Sequence, residues 1–67
     1  MNEMRAVTSK KIYSGRYKVI DKKTKKNLGY VEQCFETKMW WIQDVDGNGH
    51  DLVDTKREAM ASFENEE

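Results

Sequence analysis

The stretch Trp40-Trp41-Ile42-Gln43-Asp44-Val45-Asp46-Gly47-Asn48-Gly49, running on through His50–Val53 into Asp54-Thr55-Lys56-Arg57-Glu58-Ala59-Met60, decides the fold. It reads as a strand, a tight turn, a second strand and a capped helix start. Asp46-Gly47 and Asn48-Gly49 are the pairs that tolerate the positive φ angles of hairpin turns. Thr55 and Glu58 form a capping box, with the hydroxyl accepting from the amide three residues on and the carboxylate reaching back. Ala59, Met60 and Phe63 then recur at helical spacing as one narrow apolar stripe. The acids Glu64, Glu66 and Glu67 sit at the negative end of the helix dipole and disfavour its last turn. A helix of roughly ten residues is marginal alone, so packing on the sheet must hold it.

Working outward, a strand begins after Gly15, with Tyr17 and Val19 on one face and Lys18 and Ile20 on the other. Residues 21–27 are polar turn material. Leu28 to Phe35 is expected as the next strand, Met39 to Val45 as the third, and His50 to Val53 as a short fourth. Residues 1–9 lack periodicity and read as a loose arm, although Val7 is a possible strand start. The expected fold is α+β: an antiparallel meander of three to four strands with one C-terminal helix on one face. Residues 1–67 make a single small domain.

At 67 residues the chain lies near the lower limit for a core without staples. Its aromatic residues must therefore be used efficiently, or a partner must add buried surface. The lone Cys34 excludes an internal disulfide framework and a cysteine-based zinc site. No apolar run approaches the roughly 20 residues that span a bilayer. The sequence expectation is thus a cytoplasmic protein without a membrane partner.

The net charge of zero conceals a segregation. Residues 1–27 carry nine Lys or Arg against Glu3 and Asp21, whereas residues 28–67 carry three against ten acids. Such asymmetry suggests an interaction surface of each sign. The plainer reading is two solvated faces.

The residues available for chemistry are few. Asp44-x-Asp46-x-Asn48-Gly49 matches the start of an EF-hand loop, but Thr55 stands where that loop needs a bidentate Glu. A hairpin turn explains the same residues, so no metal site and no cofactor are expected. His50 is the only histidine, and a nucleophilic or metal-dependent site needs several cooperating groups. His50 reads as a strand-edge polar residue and Cys34 as a small buried hydrophobe. The chain is not expected to be an enzyme.

The adjacent tryptophans are more telling, because neighbouring strand residues point to opposite faces. Ile42 accompanies Trp40 and the polar Gln43 accompanies Trp41. Trp40 is therefore assigned to the core, and Trp41, with Tyr30 and Ile20, to the open face. An exposed tryptophan suits a protein interface or base stacking. Alternatively the N-terminal arm, with Ile12 and Tyr13, folds over it. Lys22, Lys23, Lys25 and Lys26 make a compact positive loop able to grip phosphates, or merely to keep the surface charged. The candidate partner-binding residues are Trp41, Tyr30, Lys22, Lys23, Lys25 and Lys26.

The order strand, strand, Trp-bearing strand, Gly turn, short strand, then Thr55-Lys56-Arg57-Glu58-Ala59 resembles the sheet-and-helix N-terminal domain of tyrosine-recombinase integrases. It is also similar to small proteins of phages and mobile elements. The first resemblance implies a three-stranded sheet with a C-terminal helix, binding DNA through the sheet. In the strand that carries the basic readers there, this chain holds Gln43, Asp44 and Asp46. The preferred expectation is a non-enzymatic, phage-type accessory protein that docks on a host protein and modulates it, such as nucleic-acid-handling or defence machinery. The alternative is a nucleic-acid-binding module using the lysine loop and an exposed aromatic. A self-associating homodimer, basic end on acidic end, is a third.

Overall fold

The computed structural model describes the backbone of residues 3–66 and the side chains of residues 5–64. Its centre is a five-stranded antiparallel sheet in which each strand pairs with its neighbour in the chain. In order, these are β2 (Val7–Tyr13), β3 (Arg16–Asp21), β4 (Asn27–Gln33), β5 (Trp40–Gln43) and β6 (Gly49–Val53). A short helix, α1 (Lys56–Ala61), follows β6 and packs against β4, β5 and β6. A separate two-stranded ribbon joins β1 (Glu3–Met4) to β7 (Asn65–Glu66), with Glu3 opposite Glu66. The fold is thus α+β, with a meander and one C-terminal helix.

Two expectations are corrected here. The sheet has five strands rather than three to four, and the additional one is β2. The loose arm expected over residues 1–9 is instead Glu3–Met4 paired with β7 and Val7–Ser9 in the first half of β2, while residues 1 and 2 lie outside the described residues. The strand does start at Val7, as the sequence allowed, but the rest of β2 escapes sequence patterning because it is an edge strand, largely exposed from Lys10 to Tyr13. An edge strand needs no strict apolar alternation to be held by its one neighbour. The helix is also shorter than expected, six residues with Thr55 as N-cap. Beyond Ala61 the Ser62 hydroxyl donates to the Ala59 carbonyl at 2.7 Å, and the chain turns away.

The turns follow their residues. Gly15 takes φ +89° between β2 and β3, and Gly47 takes φ +87° between β5 and β6. Between β3 and β4, Asp21 accepts from the amides of Lys23 at 2.8 Å and Thr24 at 3.2 Å. A bulge opposite Val19 and Ile20 sets Leu28 out of register.

The helix side of the sheet carries the core: Val19, Val31 and Ile42 from three central strands, with Ala59 and Phe63 from the helix layer. Val19 and Val31 are fully buried, each contributing roughly 1.5–3 kcal/mol. Tyr17, Trp40, Val53 and Met60 pack around them, half-buried. Phe63 lies just past α1, and its carbonyl accepts from Arg5 Nε at 2.6 Å. That bond, together with the Arg5 amide on the Glu64 carbonyl at 2.8 Å, ties the start of the chain to the end of the helix layer.

Candidate docking face

The opposite face of the sheet has no layer over it among the described residues. Alternation puts every second residue of each strand there, and the register aligns them into rows. One row runs Arg16, Glu32, Trp41, Leu52 across β3 to β6. The next runs Lys10, Lys18, Tyr30, Gln43, Gly49 across all five strands.

Arg16 organises the middle of this face. Its Nη1 donates to Glu32 Oε1 at 2.6 Å and to Gln43 Oε1 at 2.8 Å. The guanidinium lies over the Tyr30 ring, 4.5 Å from its centroid. An exposed ion pair contributes little, roughly 0.2–1 kcal/mol. Held also by an amide and a ring, this side chain is only 19% exposed. Its charge is thereby largely consumed within the face.

Trp41 stands beside this cluster and is 44% exposed. Its ring lies over Gly49, where an added β-carbon would fall 2.9 Å from Cε3 and Cζ3. Glycine at this position lets the indole approach the β6 backbone closely. Leu52, directly across from Trp41 and 37% exposed, extends the apolar surface. Trp40 turns the other way, against the core, with its ring 6.0 Å from that of Tyr17. Lys56 Nζ sits 3.6 Å from the Tyr17 centroid and closes that side.

The sequence candidates are therefore only partly brought together. Trp41 and Tyr30 share the open face as diagonal neighbours on β4 and β5. Lys22, Lys23, Lys25 and Lys26 do not join them. They occupy the β3–β4 turn, about five residues along β4 from the Trp41 row, roughly 16 Å at strand rise. Ile12 and Tyr13 do not cover the indole either: they stand at the β2–β3 hairpin, 46% and 54% exposed. Arg16, Leu52 and Lys10 are face residues that single-strand patterns did not reveal, because their importance depends on which strand lies beside which.

The remaining candidates serve turns. Asp44 Oδ1 accepts from the amides of Asp46 and Asn48, each at 2.9 Å, and Oδ2 pairs with His50 Nε2 at 3.1 Å. The Asn48 amide, followed by the His50 ring, holds the Asp44 carboxyl below its ordinary pKa. Among the described residues no group of three His, Cys, Asp or Glu side chains is placed to hold a metal ion. Cys34 is half-buried at the β4–β5 turn rather than in the core. The Thr37 amide, its hydroxyl and the Glu36 amide favour the thiolate there. Phe35 in that turn is 78% exposed.

No family model, curated protein or solved structure matches the chain. Among the described residues no helix is long and apolar enough to cross a membrane.

Proposed function

We propose that the chain is a non-enzymatic binding module that docks on another protein through its open sheet face, in the manner of a small phage-type accessory protein modulating a host target. One observation carries this reading. Trp41, with Leu52 beside it, lies on an uncovered face, propped by Gly49 and flanked by the fixed Arg16–Glu32–Tyr30 cluster. A large, rigid aromatic of this kind, ringed by polar groups that exclude water, is the anchor type that dominates protein interfaces. The non-enzymatic part of the reading assigns structural roles to the two residues nearest to chemistry: His50 pairs with Asp44 at the β5–β6 turn, and Cys34 lies at the β4–β5 turn.

The competing use of the same face, stacking of nucleobases, has less behind it. The Glu32 carboxylate stands directly across from Trp41, where a phosphate would have to pass. The nearest guanidinium is already bound to that carboxylate. The four turn lysines are too distant to neutralise a strand lying over the indole.

The deciding experiment is affinity capture under nuclease treatment, wild type against Trp41→Ala. The expected result is a protein retained after nuclease digestion and lost with the variant, whose melting temperature stays close to wild type. Retention that vanishes with nuclease, or that ignores Trp41→Ala, overturns the reading.

A further inference from the structure

The outer edge of β2 is a second surface, adjoining the face that carries Trp41. β2 ends the sheet, and the β1–β7 ribbon pairs with itself rather than with β2. The Ala6 carbonyl accepts from the Lys22 amide at 3.0 Å, so Ala6 faces β3. In an antiparallel ladder the main-chain groups alternate between the two sides. Thr8 and Lys10 therefore also bond inward, and Val7, Ser9 and Lys11 turn their N–H and C=O groups outward. The register is unbroken over these residues, its only shift lying between Lys11 and Tyr13.

This edge is strongly basic. Lys10 and Lys11 are both exposed, and Lys10 stands directly across from Lys18 on the open face. Like charges set directly opposite destabilise a sheet. Among the described residues the ion pairs are Arg16–Glu32 and His50–Asp44, so no carboxylate relieves the two lysines. Asp21 on β3 is occupied by the turn amides of Lys23 and Thr24. Lysine on an edge also discourages strands of its own kind, and here it does so selectively. Antiparallel pairing of two β2 edges about the middle residue would put Lys10 against its own copy.

We propose that β2 receives an extended acidic segment of a partner protein as a sixth strand. Its main chain pairs with Val7, Ser9 and Lys11. A carboxylate on the open side meets Lys10 and Lys18, and one on the opposite side meets Lys11. Ile12, 46% exposed at the register shift just past Lys11, favours an apolar residue at that end of the added strand. Strand addition of this kind draws affinity from main-chain bonds and specificity from alternate side chains.

The test uses the full chain, ¹⁵N-labelled, titrated with a capped peptide of alternating Glu and Val. Three comparison probes are the same peptide N-methylated on its pairing amides, a Lys-for-Glu version, and oligothymidylate. The expected result is slowed amide exchange at Val7, Ser9 and Lys11, absent with the N-methylated and Lys peptides. The double change Lys10→Glu with Lys11→Glu, both at exposed positions, should weaken binding roughly tenfold through lost and reversed charge pairs, with a melting temperature no lower than wild type, since Lys10→Glu sets a carboxylate across from Lys18. Equal binding of the N-methylated peptide would reduce the edge to a polyanion attractor and overturn the proposal. So would tighter binding of oligothymidylate, no protection of the three amides at millimolar peptide, or indifference to the charge reversal.

Discussion

The edge of the Phe63 ring occupies the space in which a β-carbon on Gly29 would sit. Such a carbon would fall 2.8 Å from Phe63 Cε1 and press on the Gln43 carbonyl oxygen as well. Gly29 also holds φ at +145°, a conformation side chains other than glycine rarely adopt. β4 thus gives up a side chain at its third residue so that the helix layer can lie close.

Gly29→Ala should accordingly destabilise the domain by about 2–4 kcal/mol, combining overpacking with backbone strain. Urea denaturation measures this directly. A variant within 0.5 kcal/mol of wild type would show that the ring shifts freely and that the layer is not close-packed.

The helix layer itself can be probed at both ends. Phe63→Ala should cost roughly 3 kcal/mol or more, a large share of a small domain's stability. Thr55→Ala removes the hydroxyl that accepts from the Glu58 amide at 3.1 Å and should cost about 1 kcal/mol. A chain truncated after Val53 that still melts cooperatively at the wild-type temperature would show that α1 and Phe63 lie outside the cooperative unit.

The tryptophans should behave oppositely. Trp40 packs on the core beside Tyr17, so Trp40→Ala should cost roughly 3 kcal/mol or unfold the chain. Trp41→Ala should leave the melting temperature nearly unchanged. In Trp41→Phe, which keeps Trp40 as the sole indole, acrylamide should quench much less than in the wild type, where Trp41 is exposed. Equally weak quenching of the two proteins would mean that a second molecule covers the open face in solution.

Acid should destabilise the chain through its turns. The amides of Thr24 and Lys23 hold the Asp21 carboxyl below its ordinary pKa, and the Asn48 amide does the same for Asp44. A folded-state pKa below the unfolded one gives stability that is complete above the ordinary carboxylate range. It is lost as pH falls through the folded value. Asp21→Asn should therefore flatten the acid limb of a plot of urea midpoint against pH, chiefly below pH 4. An acid limb as steep as wild type in Asp21→Asn would rule this carboxylate out as a source.

What the sequence made legible were the features fixed by a few adjacent residues. Gly15, Asp46-Gly47 and the Thr55–Glu58 pair marked their turns and the helix start, because each supplies a local hydrogen bond or a positive φ. That Trp40 and Trp41 face opposite sides followed from strand alternation, and which of them faces the core followed from their companions Ile42 and Gln43. Of β2 only its start at Val7 was legible, because its lysines satisfy an edge without any apolar rhythm. The β1–β7 ribbon was missed because its partners lie at opposite ends of the chain. Arg16 was overlooked as a face residue for a related reason: its partners Glu32 and Gln43 are 16 and 27 residues away. The lysine turn looked like part of the site only because distance along a strand cannot be read before register is known.

The neighbour-to-neighbour pairing of the five strands also has a kinetic side. Each pairing closes a short loop, at little entropic cost, and sheets built this way form quickly for their class. The pairing of Glu3 with Glu66 spans nearly the whole chain, so its loop is the costliest in the fold to close. The ribbon should thus be the last piece to zip and the first to open. Arg5, holding the Phe63 carbonyl, is the catch that decides how often the helix layer lifts with it.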